Sequence, residues 1–278
     1  MPFHRFESIE SKLLTPHLSS GRAPIIEGRY LYFCLNQKQA GTGSELHYHP
    51  NELLIFVLKG KVNAVVGKDR RIVGPGAFLM IPPNVRHSMK ATEDGDCAYL
   101  YIKDRTWTVV GIGADEAPPE RALTVEESAA IASKRVSGGV SGGPARARPA
   151  GNGEASQAIV EGVPDCYYQL ADAIEAPLRC ASRREWLEGE RCGFGFFEFP
   201  RAGELASEAS PHEQFVYVLS GRLTAEVGND RNDMRTGDIA EIGKGVPYRL
   251  ASDGNTPTRF VSVHSLAVLE EAIEQAHG

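Results

Sequence analysis

The sequence predicts an all-β protein made of two copies of one small barrel, with a helical and low-complexity connector and a C-terminal helix. Two observations predict this class. First, short apolar or alternating runs recur at 29–36, 52–58, 61–66, 77–81 and 97–103, and again at 192–199, 214–219, 222–227, 238–242 and 259–264. Turn residues punctuate them, including Gly60, Gly67, Gly74-Pro75-Gly76 and Pro82-Pro83 in the first train and Gly221, Gly228, Gly237 and Gly245 in the second. Many short strands with regular turn signals are the mark of a barrel or sandwich. Second, the chain repeats itself at an offset of 161 residues: Pro16 meets Pro177, Glu27-Gly28 meets Glu188-Gly189, Pro50 meets Pro211, Glu52 meets Glu213, and Gly60 meets Gly221. Matches at glycine and proline carry weight because turn geometry demands those residues.

Taken in order, residues 1–20 form a lead segment and 21–104 the first barrel. Residues 105–157 form the connector, in which 124–136 has helical composition with Glu126 and Glu127 near its start. The stretch 137–157 is rich in Gly, Ser, Ala and Pro, which predicts a flexible linker. Residues 158–264 form the second barrel. In 265–278, Leu266, Leu269 and Ile273 share one face of an amphipathic helix that packs against a barrel. Two copies of one barrel in one chain also predict a pseudo-two-fold pair that buries each other's edges and faces. A homodimer is compatible with this arrangement.

Composition narrows the function classes. A formal charge of -6 argues against a nucleic-acid backbone as partner. The N-terminus lacks the apolar core of a signal peptide, and no apolar run is long enough to span a bilayer, so a cytoplasmic protein without a membrane partner is expected. Cys34, Cys97, Cys166, Cys180 and Cys192 form an odd set with no C-x-x-C pair, which predicts reduced packing residues and no disulfide framework.

The chemistry is concentrated in the first half. His47 and His49 flank Tyr48, and side chains two apart on a strand point to the same face. Imidazole is the commonest protein ligand for a transition metal. With Gly41, Gly60, Gly76, Pro82 and His87, these residues resemble the two cupin motifs, G-x5-H-x-H-x3,4-E-x6-G and G-x5-P-x-G-x2-H-x3-N. Asn84 stands at the glycine of the second motif, a position that asparagine fills because it too accepts left-handed backbone. The resemblance covers about residues 20–104 and 180–264, so the chain looks like a bicupin of two jelly-roll barrels. It implies a divalent metal held by His47, His49 and His87.

One departure shapes the functional reading. The family's fourth ligand, a glutamate, falls by spacing at Leu53, while Glu52 sits one residue early. A one-residue slip turns a side chain to the opposite face, which predicts a three-histidine site; a local bulge would instead bring Glu52 in as a fourth ligand. Three-histidine cupin sites resemble those of Fe(II)-dependent dioxygenases acting on small organic acids, hydroxylated aromatics or dicarbonyls. A site with a carboxylate ligand resembles Mn, Ni or Zn cupins, which include isomerases, lyases and decarboxylases. A non-catalytic sugar- or metabolite-binding protein is the reading from another class. The expected substrate-binding residues are Arg86, Met80, Phe78 and Tyr101, with Arg70, Phe33, Met89 and Tyr99 as further candidates for an anion contact or apolar lining. Glu52 is the nearest carboxylate for acid–base work.

The second half lacks this equipment. At the same offset His47 becomes Glu208, His49 becomes Ser210, Leu53 becomes Gln214 and His87 becomes Tyr248. His212 aligns with Asn51, off the ligand face. The second barrel is therefore expected to hold no metal and to act as a structural partner or a separate small-molecule pocket.

Overall fold

A computed structural model describes residues 1–137, 166–178 and 180–277 of the chain. The expected linker 137–157 falls almost wholly outside them. Each half is a pair of antiparallel sheets. In the first half the longer sheet runs in the order Tyr167–Gln169, Ala77–Ile81, Leu53–Lys59, Cys97–Asp104, Leu31–Lys38, Arg22–Ala23 and Lys12–Leu13. Its partner runs Ile112–Gly113, His47–Tyr48, His87–Ala91, Val62–Val66 and Asp69–Val73. The second half has a six-stranded sheet of Phe3–Arg5, Asp238–Ile242, Gln214–Ser220, Thr258–Ser265, Cys192–Phe199 and Arg183–Glu188. A four-stranded sheet of Gly203–Ser207, Tyr248–Ser252, Arg222–Val227 and Asp230–Arg235 completes it.

The longest strands are buried on both faces, which explains their near-continuous apolar sequence. Along Leu53–Lys59, Leu53, Ile55 and Val57 enter the core of the first barrel, while Leu54 and Phe56 enter a second core shared by the two halves. In that shared core Phe33 stacks on Phe215 at 5.1 Å between ring centres, and Phe78 on Phe194 at 4.3 Å. Leu269 and Ile273, on the helix Ala267–His277, close it, so this helix packs on the junction of the barrels. Fully burying such side chains stabilises by about 1.5–3 kcal/mol each. The halves are thus one hydrophobic unit.

The halves also exchange edge strands. Phe3–Arg5 pairs with Asp238–Ile242 of the second half, and Tyr167–Gln169 pairs with Ala77–Ile81 of the first. The exchange is reciprocal: Phe3 lies opposite Ala240 and Tyr167 opposite Leu79, so each of these sheets gains an outer strand from the other half of the chain. Residues 1–20 are therefore more than a lead segment, and 158–264 do not all serve the second barrel. Strands of three residues are too short to give a period of two, which is why the sequence conceals them.

Two glutamates lock the halves with the same symmetry. Glu52 accepts hydrogen bonds from the backbone N–H groups of Glu190, Arg191 and Cys192 at 2.7, 2.8 and 2.8 Å. Glu213 accepts from those of Arg29, Tyr30 and Leu31 at 2.5, 2.8 and 3.0 Å. The repeated glycines explain themselves here. A Cβ on Gly189 would lie 1.9 Å from Glu52 Oε1, and one on Gly28 would lie 2.6 Å from Glu213 Oε2.

Candidate metal centre

Three short stretches bring the histidines together. His47 and His87 are direct cross-strand partners, and His49 follows Tyr48 at the end of its strand. Asn84 holds the turn before His87 with φ of 63°, and Gly245 does the same in the repeat with φ of 79°. The ring centres of His47, His49 and His87 are separated by 6.0, 4.5 and 4.7 Å, and one nitrogen from each lies within 4.8 Å of the others. All three are buried. Gly111 is required where the chain crosses this site, because a Cβ there would stand 2.4 Å from the His47 ring.

The outer nitrogen of each ring is already engaged. Nδ1 of His47, His49 and His87 donates to the carbonyl oxygens of Glu45, Asn51 and Val85 at 2.7, 3.3 and 2.8 Å. A proton fixed on Nδ1 leaves the lone pair on Nε2, the form that ligates metal. His49 Nε2 and His87 Nε2 are buried with no hydrogen-bond partner among the described residues. Burial holds all three imidazoles neutral, the His87 pKa falling to about 4 and those of His47 and His49 well below the ordinary value. Buried nitrogens rarely stay unpaired, so this orphaned donor set fits a divalent cation.

A cupin-domain family model matches the sequence twice, over residues 37–103 and 195–264. The chain is a bicupin. Among solved structures it is similar to an oxalate decarboxylase studied for its substrate binding mode and a switch of reaction specificity. The two are 16% identical with a TM-score of 0.66 over 95% of this chain and 77% of that one. Bacillus subtilis oxalate decarboxylase, in a study of its Mn(II) centres, matches at 17% identity and a TM-score of 0.65 over the same shares of the two chains. Another structure of that enzyme matches at 17% identity and a TM-score of 0.64, over 95% and 76%. At this identity the likeness is one of fold. No curated protein matched the sequence.

The bicupin register decides the fourth-ligand question. Leu53 points into the first barrel and Glu52 points out of it, into the three N–H groups of the other half. Glu52 is therefore corrected from a candidate ligand or acid–base group to a bridge between barrels, for the reason that alternation gives. Phe78 and Phe33 are corrected likewise, since both lie in the shared core rather than in the barrel interior. Met80 packs against the same core. Arg86 also leaves the site. It lies over the Tyr48 ring at 5.5 Å and donates to the Ala114 carbonyl at 2.9 Å, on the face opposite His47 and His49. Arg70 donates to the Asn63 side chain at 2.9 Å. Tyr101, Tyr99 and Met89 do line the first barrel's interior.

Lys103 belongs to the same interior, although its role is not evident from the motifs. It is fully buried, pairs across the sheet with Leu53, and lies 5.5 Å from the centre of the Tyr101 ring. Its ammonium donates to the Val109 carbonyl at 3.2 Å. The neighbouring Asp104 faces the other way, accepting from the N–H groups of Glu52 and Thr106 at 2.7 and 2.9 Å and meeting Arg191 at 3.3 Å. Burial drives the Lys103 pKa well down, and its charge helps to depress all three histidines. A lysine at an inward position of an otherwise buried strand was the sequence signal.

The second barrel carries a polar chain in place of ligands. Gln214 Nε2 donates to Ser210 Oγ at 2.9 Å, Ser262 Oγ donates to Gln214 Oε1 at 3.2 Å, and Ser210 Oγ donates to the His212 carbonyl at 2.7 Å. His212 turns to Glu270 of the C-terminal helix, 3.1 Å away. Among the described residues, the three histidines of the first barrel are the group that can hold a metal.

Proposed function

We propose that this bicupin is a divalent-metal enzyme acting on a small organic-acid anion, with non-oxidative carbon–carbon cleavage such as decarboxylation as its reaction. The observation that carries the reading is the convergence of three neutral imidazoles beside a buried lysine, inside one barrel. His47, His49 and His87 would hold the ion, which supplies Lewis-acid polarisation of a bound carboxylate or carbonyl oxygen. Lys103 would take a carboxylate oxygen through a charge-assisted hydrogen bond, because a bound anion offsets the burial that lowers its pKa and so favours its protonated form. The Tyr101 phenol, pushed well above its ordinary pKa by burial, stays protonated and can donate a hydrogen bond. Leu53, Met89 and Tyr99 wall the interior and keep water from the reacting atoms. The similarity to oxalate decarboxylases supports an acid substrate, and the Mn(II) centres of one of them support Mn(II) ahead of Fe(II), Ni or Zn.

A second reading has its own observation. The donor set holds imidazole alone, with Leu53 where a carboxylate ligand would stand, and this favours an Fe(II)-dependent dioxygenase. One experiment separates the two. Metal content is measured first, and the Mn(II)- and Fe(II)-loaded proteins are then offered oxalate, hydroxybenzoates and β-diketones while carbon dioxide and oxygen are followed. Carbon dioxide release without oxygen supports the first reading, and oxygen uptake supports the second. A protein that retains neither metal under replete, reducing conditions overturns both and leaves a non-catalytic metabolite-binding cupin.

A further inference from the structure

The first barrel has a pocket at the end of its long sheet away from the three-histidine site. The register fixes the separation: Lys103 pairs with Leu53 at the histidine end, while Ala98 pairs with Lys59 at the other. A cavity of about 580 Å³ lies there, with Arg22, Lys38, Lys59, Thr42, Asp96 and Cys97 in its wall. This volume falls in the range that accommodates small metabolites, about 300–1,000 Å³.

Its charge is one-sided. Arg22, Lys38 and Lys59 stand against the single carboxylate of Asp96, and that carboxylate already accepts the Ala40 N–H at 2.8 Å. Lys38 is the decisive group. Its side chain is only 4% exposed, its ammonium donates to the Met89 carbonyl at 2.5 Å, and it lies 5.6 Å from the centre of the Tyr99 ring. No carboxylate among the described residues forms an ion pair with it. Lys38 alternates with Asn36 and Cys34 on the inward face of its strand, so the position is set by the strand and is not an accident of a flexible surface chain. Burial pulls the amine down to about 7, which is the sign of a cation without its counter-charge. A buried ammonium with one carbonyl partner keeps two donors for a ligand. Burying a lysine in this way is costly unless an anion completes it.

We propose that this cavity is a binding site for the carboxylate or phosphate end of a small metabolite, with Lys38 as its buried anchor and Arg22 and Lys59 at its rim. The pocket mouth lies at the end of the sheet away from the histidines, whereas the Lys38 side chain reaches inward to the Met89 carbonyl. Its charge contributes to the lowered pKa of His47 and His87. Anion binding in this pocket does not depend on the reaction assigned to the metal centre.

The test uses the full-length, metal-free protein and two probes, inorganic phosphate and acetate, each titrated by calorimetry. Saturable binding of at least one probe is expected, and the tighter probe identifies the chemical class. Loss of one charge-assisted contact should weaken it about tenfold in Lys38→Met and in Arg22→Ala. Binding should be unchanged in His49→Ala, a metal-site change at a ring that Lys38 does not influence, which distinguishes this pocket from the metal centre. If Lys38→Met does not fold, Arg22→Ala and Lys59→Ala carry the test, because both residues lie at the rim. Absence of saturable binding by both probes overturns the proposal. So does binding that survives the Lys38 and Arg22 changes, or that is lost with His49.

Discussion

Replacing Glu52 by alanine should unfold the junction between the barrels while leaving the metal site its three ligands. The carboxylate accepts three N–H groups from the second half, at 2.7, 2.8 and 2.8 Å, and is itself buried. Hydrogen bonds to a charged group contribute about 1.5–3 kcal/mol each, but such values are not additive in one cluster. Breaking a buried charged network costs about 3–5 kcal/mol, and the N–H groups of Glu190, Arg191 and Cys192 would lose this acceptor together. For a chain of this size that corresponds to a fall in Tm of about 6–20 °C. Urea and thermal unfolding of Glu52→Ala measure the cost, and metal analysis of the same protein measures the site. Glu213→Ala provides the internal control, because it removes the mirror-image contact to Arg29, Tyr30 and Leu31 from the half without histidines. The reasoning is refuted if Glu52→Ala loses metal with its stability intact, or if Glu213→Ala is harmless while Glu52→Ala is not.

The glycines that face these glutamates should tolerate no side chain. Gly189→Ala places a methyl 1.9 Å from Glu52 Oε1, and Gly28→Ala one 2.6 Å from Glu213 Oε2, so overpacking of about 1–3 kcal/mol is expected in denaturant melts, larger at 189. Metal occupancy should vanish in His47→Ala and His87→Ala, as read by elemental analysis of protein that still shows a native circular dichroism spectrum. The metal-free protein should also lose stability in mild acid. His87 titrates near 6.5 unfolded and at about 4 folded, so above pH 6.5 both states are neutral and its contribution is complete. As the pH falls from 6.5 towards 4 the unfolded chain takes up a proton that the folded chain refuses, which removes up to about 3 kcal/mol. Denaturation midpoints from about pH 7.5 to 4.5 check this, and His87→Gln should flatten the slope.

Much of the site was legible because its geometry is local. His47 and His49 share a face through the period of a strand, His87 follows from motif spacing, and Asn84 adopts the left-handed turn that its position demands. The position of Leu53 was legible for the same reason, since a slip of one residue inverts a side chain. The apolar lining was legible only at Met89, Tyr99 and Tyr101. Phe33, Phe78 and Met80 lie on a strand face that looks outward from their own barrel, and in a single barrel that face would be solvent. Lys38 and Lys103 were overlooked because a lysine in sequence reads as surface, and only enclosure by a second sheet shows that these two are not.

By itself the sequence determined the duplicated all-β architecture, the turn positions and the three converging imidazoles, because each depends on spacing within a few residues or on one constant offset. Only the tertiary structure decided what lies between the copies. It turned Glu52 from a candidate ligand into the bridge to Glu190, Arg191 and Cys192, and it carried Phe3–Arg5 and Tyr167–Gln169 into each other's sheets. These contacts join residues well over a hundred positions apart in the chain except for the strand closing Ala77–Ile81, which comes from about ninety positions away. No local period encodes such pairings; they form because a face too apolar for water on one barrel meets its copy on the other.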